Sequence, residues 1–160
     1  AVAVCNDRVG RPLAPRRRRN DPESPADIGE GQRGAGENTD YGCVTRLATD
    51  DAGGLEVRTR NGDWLAAPVI PDTFVCNIGD CLMRWTNDTY VSTPHRVVSP
   101  PGRERFSIAF FLDPNPDAEV ACLPSCQSED NPARYAPIRG DAFLPSRLAP
   151  TYEAAGLANG

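Results

Sequence analysis

The sequence predicts a single, mainly β domain of the jelly-roll class, and three observations carry that expectation. The 14 glycines and 16 prolines among 160 residues break up long helices and favour short strands joined by turns. From Tyr41 onward, short runs rich in β-branched and aromatic residues alternate with turn residues. Asn61-Gly62 separates two such runs and is a tight-turn pair suited to a β-hairpin. A hydrophobic share of 39% and a charged share of 24% lie near the globular average, which excludes a wholly disordered chain.

Residues 1–33 are expected to form a disordered leader. Four consecutive arginines, Arg16 to Arg19, stand there among Pro12, Pro15, Pro22 and Pro25, with Leu13 and Ile28 as almost the only large apolar side chains. So few cannot order the segment. The domain proper spans 34–123. Its strands are predicted at Gly42 to Thr49, Leu55 to Arg60, Trp64 to Ala66, Thr73 to Ile78, His95 to Ser99, Arg105 to Leu112 and Ala118 to Leu123. The tail, 124–160, is turn-rich and holds a short, proline-interrupted helix over Asp141 to Ala155.

Composition excludes several functions. Acidic residues exceed basic ones by 22 to 17, and a net charge of -5 argues against nucleic acid as a partner. The longest apolar stretches, such as Ile108 to Leu112, are strand-sized and exclude a membrane helix. The chain is read as cytoplasmic, so its six cysteines are expected as unpaired thiols, with Cys43 and Cys76 buried as small apolar groups. A single histidine and the lack of a C-x-x-C pair leave no zinc-finger ligand set.

Three places carry chemistry. Arg105 and Ser107 are two apart on one strand and project from the same face. If that face is inward, a guanidinium and a hydroxyl there call for an anionic guest, and a carboxylate is the natural bidentate one; if outward, Arg105 is simply solvated. His95 opens a strand as either a structural hydrogen-bonder or a ligand. Asn38 and Asp40 share a face of an extended segment, or else form turns beside the neighbouring glycines.

Together these pieces resemble a known family. Gly34-Ala-Gly-Glu-Asn-Thr-Asp-Tyr-Gly-Cys-Val-Thr45, Gly53-Gly-Leu-Glu-Val-Arg58, Val75-Cys-Asn-Ile-Gly-Asp80, Ser92-Thr-Pro-His-Arg-Val97 and Arg103-Glu-Arg-Phe-Ser-Ile108 closely resemble the isopenicillin N synthase-like family of iron(II)/2-oxoglutarate oxygenases, in order and in spacing. The resemblance implies a double-stranded β-helix, a jelly-roll variant. It implies Fe(II), with Asp40 and His95 as metal ligands and Asn38 at the position of the family's first histidine. It implies that Arg105 and Ser107 face inward and hold the far carboxylate of 2-oxoglutarate. The reaction so implied hydroxylates, desaturates or cyclises a small organic metabolite with O2, while 2-oxoglutarate becomes succinate and CO2.

Two departures modify the expectation. The amide of Asn38 is a neutral, weaker donor than imidazole and reaches less far, so iron binding is expected to be impaired. The leader shows no match to the family's opening strands, so the roll is expected to be incomplete, with unpaired edges and exposed apolar faces. The alternative to an active oxygenase is an inactive fragment that keeps a carboxylate-binding pocket or an interaction role.

Overall fold

A computed structural model describes residues 8–9, 16–22 and 35–154. Eight strands build the roll: β1 (Arg16–Asp21), β2 (Ala35–Asn38), β3 (Val44–Thr49), β4 (Leu55–Arg58), β5 (Trp64–Ala66), β6 (Val75–Ile78), β7 (His95–Val97) and β8 (Arg105–Leu112). They divide between two antiparallel four-stranded sheets, ordered β1-β8-β3-β6 and β2-β7-β4-β5. Because the chain switches between sheets along its length, the two sheets enclose an interior, as a jelly roll does. Helix α1 (Asp80–Trp85) follows β6, and a ribbon of β9 (Glu119–Val120) with β10 (Ile138–Arg139) leads into helix α2 (Gly140–Ala154).

The leader expectation needs correcting at Arg16–Asp21. That run is β1, paired with β8 from Arg16 opposite Phe110 to Asp21 opposite Arg105. It is an early strand of the roll within the segment that the sequence reading held to be unmatched. Local composition misleads here because β1 has no apolar side chain of its own. Its order comes from the backbone ladder to β8 and from a buried Asp21–Arg105 ion pair, both long-range in sequence. Apart from Arg8 and Val9, the rest of the expected leader lies outside the described residues.

The roll's polarity is inverted on its central strand. Along β8, Arg105 and Ser107 are buried while Phe106 and Ile108 are exposed, so charge and hydroxyl face the interior and hydrophobes face out. This exposed apolar face lies on a strand paired on both sides, by β1 and β3, and not at an edge left open by missing strands. Buried apolar side chains gather instead around α1, β9 and α2, where Cys43, Cys81, Trp85, Val120 and Phe143 form one cluster.

Helix α1 was not expected from the sequence. It starts at a close backbone crossing: a Cβ on Gly79 would stand 2.2 Å from the Gly42 carbonyl oxygen, so only glycine fits. The crossing carries hydrogen bonds from the N–H groups of Asp80 to the Asp40 carbonyl (2.7 Å) and of Gly79 to the Cys43 carbonyl (2.9 Å). The backbone of Asp40 is thereby tied to the helix start. Among the described residues no helix is long and apolar enough to cross a membrane.

The thiols separate by strand alternation. Cys43 and Cys81 are buried, but Cys76, expected to be buried, is exposed. Its neighbours Val75 and Asn77 line the interior, which turns Cys76 outward on edge strand β6. Cys81 is hydrogen-bonded to Cys43 and buried, and both effects push its thiol far up from its ordinary value. Native-state titration with an aromatic disulfide reagent is expected to show Cys76 in the fast phase and Cys43 and Cys81 only on unfolding. A fast phase unchanged in Cys76→Ser would contradict this.

Candidate active site

The two sheets enclose a cavity of about 150 Å³. Sheet alternation dictates its lining: Arg17 and Arg19 from β1, Arg105, Ser107, Ala109 and Phe111 from β8, Thr45 and Leu47 from β3, Asn77 from β6 and His95 from β7. Asn38 and Asp40 reach the same space from β2 and the loop after it. All the residues that the sequence singled out, Asn38, Asp40, His95, Arg105 and Ser107, therefore border one cavity.

Asp40 and His95 converge across 55 positions of sequence. His95 Nε2 lies 3.8 Å from Asp40 Oδ1, too far for a hydrogen bond and near enough for both to reach one cation. The Asp40 side chain is only 7% exposed and that of His95 15%. His95 Nδ1 lies 3.2 Å from the Thr93 carbonyl oxygen. A proton on Nδ1 would donate there and leave the Nε2 lone pair facing Asp40, whereas the Asn77 amide nitrogen, 3.0 Å from the same Nδ1, calls for an acceptor, so the two neighbours favour opposite tautomers.

The sequence reading missed Asn77. Its Nδ2 donates to Asp40 Oδ2 at 3.1 Å and stands 3.0 Å from His95 Nδ1, so one amide touches both groups. The signal was available: an amide at an inward position of the otherwise apolar run Val75-Cys-Asn-Ile78 must find partners inside. Asn38 is opposite His95 in the β2–β7 pairing. In the orientation that satisfies its hydrogen bonds, its Nδ2 donates to the backbone carbonyls of His95 (3.3 Å) and Gly36 (3.2 Å).

Arg105 is 1% exposed. Its Nε donates to the Gly53 carbonyl (2.8 Å), and its Nη1 to Asp21 Oδ2 (3.1 Å) and Ser107 Oγ (3.2 Å). Its Nη2 is buried with no hydrogen-bond partner. A buried guanidinium with an open donor beside a cavity fits a carboxylate guest. Asp21, the residue that meets Arg105, sat within the expected leader and gave no sequence signal.

Asp113, buried next to Gly42, also carries a perturbed carboxyl. Burial, and then the nearby Asp40 charge, raise it above its ordinary value of 3.8. The folded protein therefore holds this proton more tightly than the unfolded chain. The resulting stabilisation is present below the ordinary value and is lost as pH rises through the raised one. Asp113→Asn is expected to be more stable than the parent at pH 7, with the advantage shrinking toward pH 3. Urea midpoints at both pH values check this, and an equal gap at both would contradict it.

A β-roll whose interior presents a carboxylate, an imidazole and a buried arginine–serine pair defines an oxygenase-like class. The sequence profile of the 2OG-Fe(II) oxygenase superfamily matches residues 16–114, and the chain belongs to that superfamily. It is 43% identical over 119 residues to a 2-oxoglutarate-Fe(II) type oxidoreductase of Emericella nidulans, covering 73% of this chain and 34% of that protein. It is 49% identical over 105 residues to a homoarginine-6-hydroxylase of Oryza sativa subsp. japonica, covering 63% of this chain and 32% of the relative. A full-length Neurospora crassa protein, solved in complex with alpha-KG and thymine, superposes with a TM-score of 0.89 at 37% identity, over 95% of this chain and 48% of that one. The chain thus spans about a third of these curated relatives and about half of the solved one. Fe(II) and 2-oxoglutarate are the metal and cosubstrate of the superfamily.

These residues fit the two groups unequally. The open Nη2 of Arg105 beside Ser107 fits the distal carboxylate of a 2-oxo acid. For a divalent ion, Asp40 and His95 offer two strong donors, and among the described residues no third His, Cys, Asp or Glu completes the set. Asn38 borders the same cavity with its N–H groups engaged by backbone carbonyls.

Proposed function

We propose that this chain is the catalytic roll of a 2-oxoglutarate-dependent oxygenase that oxidises a small organic metabolite in the cytoplasm, with iron held weakly because Asn38 replaces an imidazole. The observation that carries the proposal is the orphaned Nη2 of a fully buried Arg105 in the cavity that also presents Asp40 and His95. A relative named for homoarginine and another solved with thymine support a small-molecule substrate.

Asp40 and His95 would hold Fe(II), which supplies the O2 chemistry that couples 2-oxoglutarate decarboxylation to substrate oxidation. The chain's own residues do the rest. Arg105 and Ser107 bind and orient the distal carboxylate by charge-assisted hydrogen bonds. Asn77 holds Asp40 with its amide and stands against His95 Nδ1 with the same nitrogen. Phe111, Ala109, Leu47 and Val75 line the cavity with apolar surface and limit water.

Anaerobic titration with Fe(II) and then 2-oxoglutarate tests the proposal. A visible charge-transfer band, lost in His95→Ala, is the expected result. Its absence at saturating metal from folded protein would overturn the assignment of the metal site. The second reading, a pocket that binds without turnover, is favoured by the engaged Asn38 amide and is separated by the same samples: 2-oxoglutarate binds, but no succinate forms on admitting O2.

A further inference from the structure

Resting on that cosubstrate assignment, we infer that Asp21 is an internal counter-ion for Arg105 that weakens the site's preference for a 2-oxo acid ending in a second carboxylate. Asp21 faces Arg105 directly in the β1–β8 register. Both side chains are buried, 5% and 1% exposed, and Asp21 Oδ2 lies 3.1 Å from Arg105 Nη1. The other Asp21 oxygen is held by Arg19 Nε at 2.6 Å, which fixes the carboxylate in place from the far side.

The consequence follows from counting donors. A guanidinium grips a carboxylate best through two adjacent N–H groups. In Arg105 the Nε is taken by the Gly53 carbonyl and Nη1 by Asp21 and Ser107, which leaves Nη2. An incoming carboxylate therefore meets a single free nitrogen, and it meets a second carboxylate already seated on the same guanidinium. Between buried groups that like-charge pair is screened less than it would be in water. A 2-oxo acid with a neutral end escapes the repulsion and loses little attraction, because Asp21 offsets the buried Arg105 and the other two cavity-lining arginines, Arg17 and Arg19, are exposed and screened by solvent.

Asp21 also has a structural role: a buried arginine without an anion is costly, and Asp21 provides one when the cavity holds no guest. A purely structural carboxylate would leave guest selectivity untouched. The two roles give different results in one experiment.

The experiment is calorimetric titration of wild type and Asp21→Asn, anaerobically with redox-inert Mn(II), using 2-oxoglutarate and 2-oxopentanoate, which has the same chain length and a methyl end. Wild type is expected to prefer 2-oxoglutarate by less than about 10-fold. Asp21→Asn should bind 2-oxoglutarate about 10- to 100-fold tighter, while its affinity for 2-oxopentanoate changes by less than about 3-fold. Should the variant fail to fold, shown by its thermal transition, the wild-type preference still decides. A wild-type preference of about 10-fold or more, or no tightening in the folded variant, overturns the inference and leaves the cosubstrate assignment standing. Binding of neither acid to either protein overturns both.

Discussion

Asn38→His is expected to raise Fe(II) affinity by at least about 10-fold, because even partners one step removed from a metal change affinity by about 10- to 100-fold and a directly ligating imidazole should matter no less. The site is otherwise prepared for it. Asn38 borders the same cavity as Asp40 and His95 and is opposite His95 in the β2–β7 pairing, so an imidazole there starts from the right strand position. The substitution gives up the amide's bonds to the His95 and Gly36 carbonyls, a loss of about 1 kcal/mol each at most where water can replace them. Competition against a coloured chelator measures the metal affinity, and succinate release measured in parallel reports decarboxylation. A variant that binds iron no tighter would show that the asparagine already serves as the third ligand. Tighter iron binding without succinate would place the defect elsewhere in the chain.

Arg105→Ala is expected to cost about 3 kcal/mol or more of stability and to abolish measurable 2-oxoglutarate binding. Breaking a buried ion pair leaves the partner's charge uncompensated, and such losses run at about 3–5 kcal/mol. Arg19 still holds Asp21, which places the expectation toward the lower end of that range. The arginine also supports β4's approach through the Gly53 carbonyl, and β1 through Asp21, so the sheet edge should loosen with it. Urea unfolding checks the stability. Removing both charges, as Asp21→Asn with Arg105→Met, should recover most of the loss, since an apolar replacement of a whole buried pair is often tolerated. Recovery of stability without recovery of 2-oxoglutarate binding would separate the structural role of Arg105 from its carboxylate-binding role. A single variant as stable as the parent would mean that the pair contributes nothing to the fold.

Motif spacing made much of the site legible in advance. Asp40, His95, Arg105 and Ser107 could be found because the motifs that hold them resemble a known family in order and spacing, whereas the local runs alone left each of them a purely structural role as well. Asn77 was equally visible in principle, as an amide in an apolar strand, but its importance depends on touching Asp40 and His95, 37 and 18 positions away. The burial of Cys43 followed from its strand position, whereas Cys76 required knowing which face of β6 looks inward.

The sequence by itself determined the class of fold and the runs of strands β3 to β8, which follow from turn chemistry and local composition, and through its family resemblance it singled out Asn38, Asp40, His95, Arg105 and Ser107. The tertiary structure decided three matters that no local pattern contains. It recruited the arginine-rich run as β1, since a strand without apolar side chains is ordered only by the ladder and the ion pair its partner provides. It placed Asp21 on Arg105, joining positions 84 apart. It turned the Asn38 amide toward the carbonyl of His95 on the neighbouring strand β7. Each is a contact between chain segments distant in sequence or in different strands, and its energy exists only once the sheets have closed.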